Sequence, residues 1–144
     1  MIREMRIEDA AAIHGIFTEA LGYSTSVAVI AGRIEEFARD ERTLSLVWTD
    51  DDGVPPAGFV HAMRYETLQA QGGWDVISLA VAPARQAQGI GRELLLEAER
   101  LLRERGATYI RLNSRMERTR AHGFYEHLGY DCDKVQKRFI KRLD

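Results

Sequence analysis

The chain is poor in the features that would place it quickly in a specialised class. Its 144 residues include one cysteine, Cys132, so no internal disulfide can form and a cysteine-built zinc site lacks its ligands; a cytosolic setting is expected. No apolar run approaches the roughly 18 residues of a membrane-spanning helix, and the opening MIREMRIED lacks the apolar stretch of a signal peptide, so no membrane association is expected. A formal net charge of -2 gives no electrostatic reason to expect a nucleic-acid partner. No repeat, low-complexity tract or Pro/Gly/Ser linker interrupts the sequence. With 45% hydrophobic and 29% charged residues, one globular domain over residues 1–144 is the expectation.

Several catalytic signatures are missing as well. There is no G-x-S-x-G elbow, and Cys132 has no evident paired base, so a covalent nucleophile has little support. His122 and His127 are five apart and fall on different faces of a helix, which leaves no credible metal set. Asp50-Asp51-Asp52-Gly53 reads as a solvated turn, because the further oxygen ligands of a calcium loop do not follow it.

The informative stretch is Trp74 to Gly106. Val76, Ile77, Leu79 and Val81 suit a buried strand; Pro83 and a loop follow, and an amphipathic helix then carries Leu94, Leu95, Ala98, Leu101 and Leu102 on one side. Gly89 and Gly91 remove side chains where a backbone could approach a bulky ligand, and a helix start offers unpaired amides and a partial positive charge to an anion. A strand-to-helix turn that merely needs glycine is the competing reading. No Lys-Ser or Lys-Thr follows Gly91, which excludes a P-loop, and Leu94 stands where a dinucleotide fingerprint needs its third glycine.

The rest of the chain suggests a first strand in Ile2–Arg6 and a helix through Ile13, Ile16, Phe17 and Leu21 to Gly22. A second helix is expected over Val27–Arg39, a hairpin from Leu44–Trp48 and Ala57–Arg64, and a strand at Thr108–Leu112. A helix capped by Thr119 and stopping at Gly129 comes next, with closing strands at Tyr130–Cys132 and Gln136–Leu143. Strand alternation would put Asp75, Ile77, Leu79 and Val81 on one face.

Gln86-x-x-Gly89-x-Gly91 after a strand resembles the acetyl-CoA loop, Q/R-x-x-G-x-G/A, of the GCN5-related N-acetyltransferase (GNAT) superfamily. Ala121-x-x-Phe124-Tyr125-x-x-x-Gly129-Tyr130 matches its C-terminal signature, and the likeness covers most of the chain, from the first helix pair to the last expected strand. It implies an α+β fold, with a mixed, mostly antiparallel sheet, splayed central strands and helices on both faces. It also implies transfer of an acetyl group from acetyl-CoA to a primary amine in a ternary complex, without a metal. The implied cofactor contacts are Leu79, Ala80, Val81, Gln86, Ala87, Gln88, Gly89, Ile90, Gly91 and Arg92, with Asn113 at the mouth of the slot between the splayed strands.

Tyr125 would act as general acid toward the thiolate, and Asp75, where the histone-acetylating branch carries glutamate, as a base through water; His61 is the rival base. A backbone amide of Leu79 or Val81 is a candidate donor to the thioester oxygen. Gln88 stands where arginine often precedes the first glycine. Glu66 and Asp75 favour a small cationic amine as acceptor, against a protein lysine or N-terminus, and a non-catalytic acyl-CoA sensor is the answer of another class. Many relatives form dimers, so a homodimer stays open.

Overall fold

Five strands lie side by side in the order of the chain: β1 (Ile2–Glu4), β2 (Thr43–Trp48), β3 (Gly58–Tyr65), β4 (Gly73–Val81) and β5 (Tyr109–Leu112). The structure, a computed structural model, describes residues 1–144 and divides into two compact units, Met1–Asn113 and Ser114–Asp144. β1 to β4 pair antiparallel, and β5 is parallel to β4 because the helix α3 (Ile90–Glu104) carries the chain back between them. The sheet is therefore mixed and mostly antiparallel, as expected.

Its two faces are covered by different helices. Gly58 faces α3 so closely that a β-carbon there would lie 3.0 Å from Ile90 Cγ2 and 3.2 Å from Leu94 Cδ1. α3 presents Ile90, Leu94, Leu95, Ala98 and Leu102, all buried, to this side. On the other face α1 (Ala10–Ile16) and α2 (Val27–Phe37) enclose Ala10, Ile13, Ile16, Ile30 and Ile34 with Val47, Phe59 and Ala80 of the sheet. A buried pair pins this layer to β1: Arg3 holds Asp9 through two bonds of 2.8 Å, and the Arg6 amide donates to Asp9 at 2.7 Å.

α1 continues into a π-helical turn, Phe17–Leu21, which ends at Gly22 in the left-handed conformation (φ 71°). Such turns are uncommon and recur at functional sites; this one packs against β4. α2 begins where Ser26 Oγ accepts from the Val29 amide at 3.1 Å, and Gly32 does not interrupt it.

β3 and β4 lose register between His61 and Ala62: His61 faces Ser78 while Ala62 faces Val76, which leaves Ile77 as an extra residue on β4. This corrects the simple alternation. Cross-strand partners share a face, so Asp75 points to the α1/α2 side with Ser78 and Ala80, whereas Leu79 and Val81 point to the α3 side. One inserted residue inverts the parity of everything after it.

The second unit holds α4 (Thr119–His127), preceded by Arg118 at the cap position, so Thr119 is its first residue rather than its cap. The expected closing strands do not form: residues 130–144 have no regular secondary structure. Val135, Phe139, Ile140 and Leu143 are exposed; Val135, Phe139 and Leu143 would share one face of a strand, but Lys137 and Lys141 fall between them on that face.

Candidate functional site

The strand-loop-helix stretch forms as the sequence suggests, with tighter anchoring than it revealed. After β4 a single 3-10 turn, Pro83–Arg85, leads to Gln86, whose side-chain amide donates to the Val81 carbonyl at 3.1 Å. Ala87 then adopts φ 61°, the left-handed region that a residue with a β-carbon seldom occupies, and Gly89 follows at φ 86°. These two positions curl the loop ahead of α3. Ala87, Gln88 and Gly89 are exposed, while Ile90 is buried beneath them and ties the loop to the core.

Gly89 occupies the N-cap of α3 and brings no side chain to the helix start; the first helical bond is Glu93 N to Gly89 O at 3.0 Å. The amides of Ile90, Gly91 and Arg92 precede that bond and have no helical carbonyl to serve. They present the positive end of a 15-residue helix to whatever lies before it. Phosphate oxygens are the chemistry such an end accepts.

Arg85 braces the loop, and this residue was missed in the sequence. Its guanidinium grips Asp50 through bonds of 2.7 and 2.8 Å, touches Gln88 Oε1 at 3.2 Å and lies 5.4 Å from the centre of the Trp48 ring. Trp48 Nε1 in turn donates to Glu93 Oε2 at 2.6 Å. Asp50 thus belongs to a clamp on the loop rather than to a purely solvated turn. No spacing rule connects residues 35 apart, so only the folded hairpin reveals it.

β4 is paired on both sides only in its first half. β5 matches Gly73 to Val76, and Ser78–Val81 continue with β3 alone. The Ala82 amide donates to Ala57 O on the β3 side at 2.8 Å. Strand alternation then turns the amides of Leu79 and Val81 to the opposite, unpaired side. The central strands splay as expected, and unpaired backbone groups of this kind need partners. Asn113, exposed just past β5, accepts from Arg111 at 3.3 Å and keeps its amide N–H groups available.

Asp75 is half-buried on the α1/α2 face; burial raises its pKa above the ordinary carboxylate value, and Arg111 opposes that rise. His61 shares this face. Its Nδ1 is 2.8 Å from Ser45 Oγ, its ring stacks on Phe37 at 5.0 Å, and burial, with Arg33 nearby, pushes its pKa down to about 4. A histidine held in this way stays neutral at ordinary pH and serves packing. Ser26 is occupied as the cap of α2, and Tyr23 stands edge-on to Phe17 at 5.8 Å.

In the second unit Tyr125 packs edge-on between Phe124 (5.3 Å) and Tyr130 (6.1 Å). Burial raises its pKa, partly offset by Arg118, so the phenol keeps its proton at neutral pH. His122 sits beside it in sequence and uses Nε2 on the Arg115 carbonyl at 2.7 Å.

The model of the acetyltransferase (GNAT) family matches residues 10–130. The chain belongs to the GNAT family. Solved structures share the GNAT fold at low sequence identity. A transcriptional regulator from Bacillus halodurans C-125 is 22% identical with a TM-score of 0.85, over 98% of this chain and 99% of that one. The aminoglycoside N-acetyltransferase AAC(6')-Iy in complex with CoA is 18% identical with a TM-score of 0.84, over 99% and 95%. The PaiA N-acetyltransferase from Thermoplasma acidophilum, in complex with coenzyme A, is 21% identical with a TM-score of 0.79, over 94% and 92%. No curated protein sequence matches this GNAT chain. No helix is long and apolar enough to cross a membrane.

Proposed function

We propose that this GNAT protein is an N-acetyltransferase that moves an acetyl group from acetyl-CoA to the primary amine of a small cationic molecule, by direct transfer within a single domain. The observation that carries the proposal is the uncapped start of α3 lying directly beyond the one-sided half of β4. An anion-binding end and a row of unpaired strand amides are what a pyrophosphate and the amide-rich arm joined to it require. The donor set fits coenzyme A: Gln86 to Arg92 for the pyrophosphate, Leu79 to Val81 and Asn113 for the arm.

Acetyl-CoA supplies, when bound, a thioester whose C–S bond breaks as the amine nitrogen bonds to the carbonyl carbon, giving an acetamide and the free thiol. The protein's own tasks are to orient, polarise and move protons. The outward amide of Leu79 or of Val81 donates to the carbonyl oxygen. Asp75 takes the proton the ammonium must lose, through a water, and its raised pKa makes it a better base than a solvated carboxylate. Tyr125 Oη returns a proton to the departing sulfur, a role that rests on the family resemblance and suits a phenol protonated at neutral pH.

Replacing Tyr125 with Phe tests the assignment. Acetyl-CoA affinity by calorimetry should stay within about twofold while thiol release falls about 100-fold. Turnover that survives intact would remove Tyr125 from the mechanism.

A further inference from the structure

The α1/α2 face of β4 and β5 carries two opposite charges that do not meet. Asp75 and Arg111 are in-register neighbours on parallel strands, so their side chains leave the same face about 5 Å apart at the backbone. Asp75 has neither a hydrogen bond nor an ion pair, and no carboxylate lies within 4.0 Å of Arg111. Other arginines of this unit behave differently: Arg3 takes Asp9, Arg42 takes Asp40, Arg64 takes Glu66 and Arg85 takes Asp50.

Arg111 is instead held from behind. Its guanidinium lies 4.2 Å from the centre of the Tyr65 ring and donates once, to Asn113 Oδ1 at 3.3 Å. A guanidinium has five N–H donors in a planar fork, so stacking on Tyr65 fixes its plane and leaves an edge for a bidentate anion. The two charges sense each other without contact, since Arg111 pulls against the rise in the Asp75 pKa.

A carboxylate and a guanidinium that share a face without meeting are complementary to a molecule that carries an ammonium and a carboxylate a few methylenes apart. We infer that the acceptor is a short ω-amino acid, its amine at Asp75 and its carboxylate on the fork of Arg111. This rests on the transferase reading of the same site and replaces its cationic acceptor by a zwitterion with a cationic reacting end, because a plain alkylamine or a diamine would leave Arg111 without its partner. The small-amine preference drawn from Asp75 and Glu66 is kept for the reacting end. Glu66 is engaged by Arg64 at 3.3 Å and does not compete for that amine.

The test is calorimetric titration of the CoA-loaded protein with γ-aminobutyrate, butylamine and propane diamine. The wild type should bind γ-aminobutyrate at least about tenfold more tightly than butylamine, the difference a charge-assisted pair provides. Arg111→Gln should erase that preference, and Arg111→Lys should restore part of it, with unchanged thermal unfolding confirming that both variants fold. Equal or tighter binding of butylamine or the diamine, binding of none of the three, or a preference that survives in Arg111→Gln overturns the inference. Thiol release in parallel samples given acetyl-CoA in place of CoA separates the two readings. Selective binding without release supports the ω-amino acid site and counts against the transferase, whereas release that is as fast with butylamine supports the transferase and overturns the acceptor class.

Discussion

The helices α2 and α3 start in opposite ways. Ser26 enters α2 in an extended conformation and lends its hydroxyl to the Val29 amide, so the helix closes its own end. Gly89 enters α3 in the left-handed region with nothing to lend. Both helices bury an apolar stripe against the sheet, Ile30 and Ile34 in one, Leu94, Leu95 and Leu102 in the other. Packing therefore does not explain the difference. A helix that only packs is capped, and one whose first amides are left open, behind a braced loop, is built to receive something.

Three substitutions or conditions would break that contrast. The largest effect is expected from Gly91→Glu, which puts a carboxylate in the first turn of α3. Acetyl-CoA affinity by calorimetry should drop about 100-fold through repulsion of the pyrophosphate, with little loss of stability because the helix dipole tolerates an acid there.

Acid is expected to act at the other helix. Phe37, the last residue of α2, stacks on His61, whose pKa in the fold is about 4 against 6.5 for an ordinary histidine. Between those values the unfolded chain takes up a proton that the folded chain refuses, so stability falls as pH drops through this window and levels off below it. The loss is roughly 3 kcal/mol at its full extent. Denaturant unfolding of His61→Gln, which has nothing to titrate at this position, should show a flatter slope from pH 6.5 to 4 than the wild type.

The smallest effect belongs to Ser26→Ala, which costs about 1 kcal/mol of stability and leaves acetyl-CoA binding unchanged. A loss of affinity in this variant would mean that the end of α2 also serves the ligand.

The same contrast explains what could be read from the sequence. Ser26 ahead of the apolar positions Ile30 and Ile34, and two glycines ahead of Leu94 and Leu95, are local signals, and both helices begin where those signals put them. The hairpin around Asp50–Gly53 and the splay of β5 from β4 also followed from local pattern and resemblance. The facing of Asp75 did not. It depends on the bulge at Ile77, set by how two strands pair and not by the residues of one. The Arg85 clamp and the standing of Arg111 beside Asp75 are likewise tertiary, joining residues 35 and 36 apart in sequence. The strands expected at Tyr130–Cys132 and Gln136–Leu143 do not form, and residues 131–144 are all exposed, so no apolar face is buried there.

The most direct test of the account is titration calorimetry with acetyl-CoA, followed by thiol release from the same samples against ω-amino acids, alkylamines, polyamines, aminoglycosides and lysine peptides. The account predicts saturable binding of acetyl-CoA and thiol release only when an amine acceptor is present. Absence of any acetyl-CoA binding by the folded protein would contradict it at its base, the open start of α3.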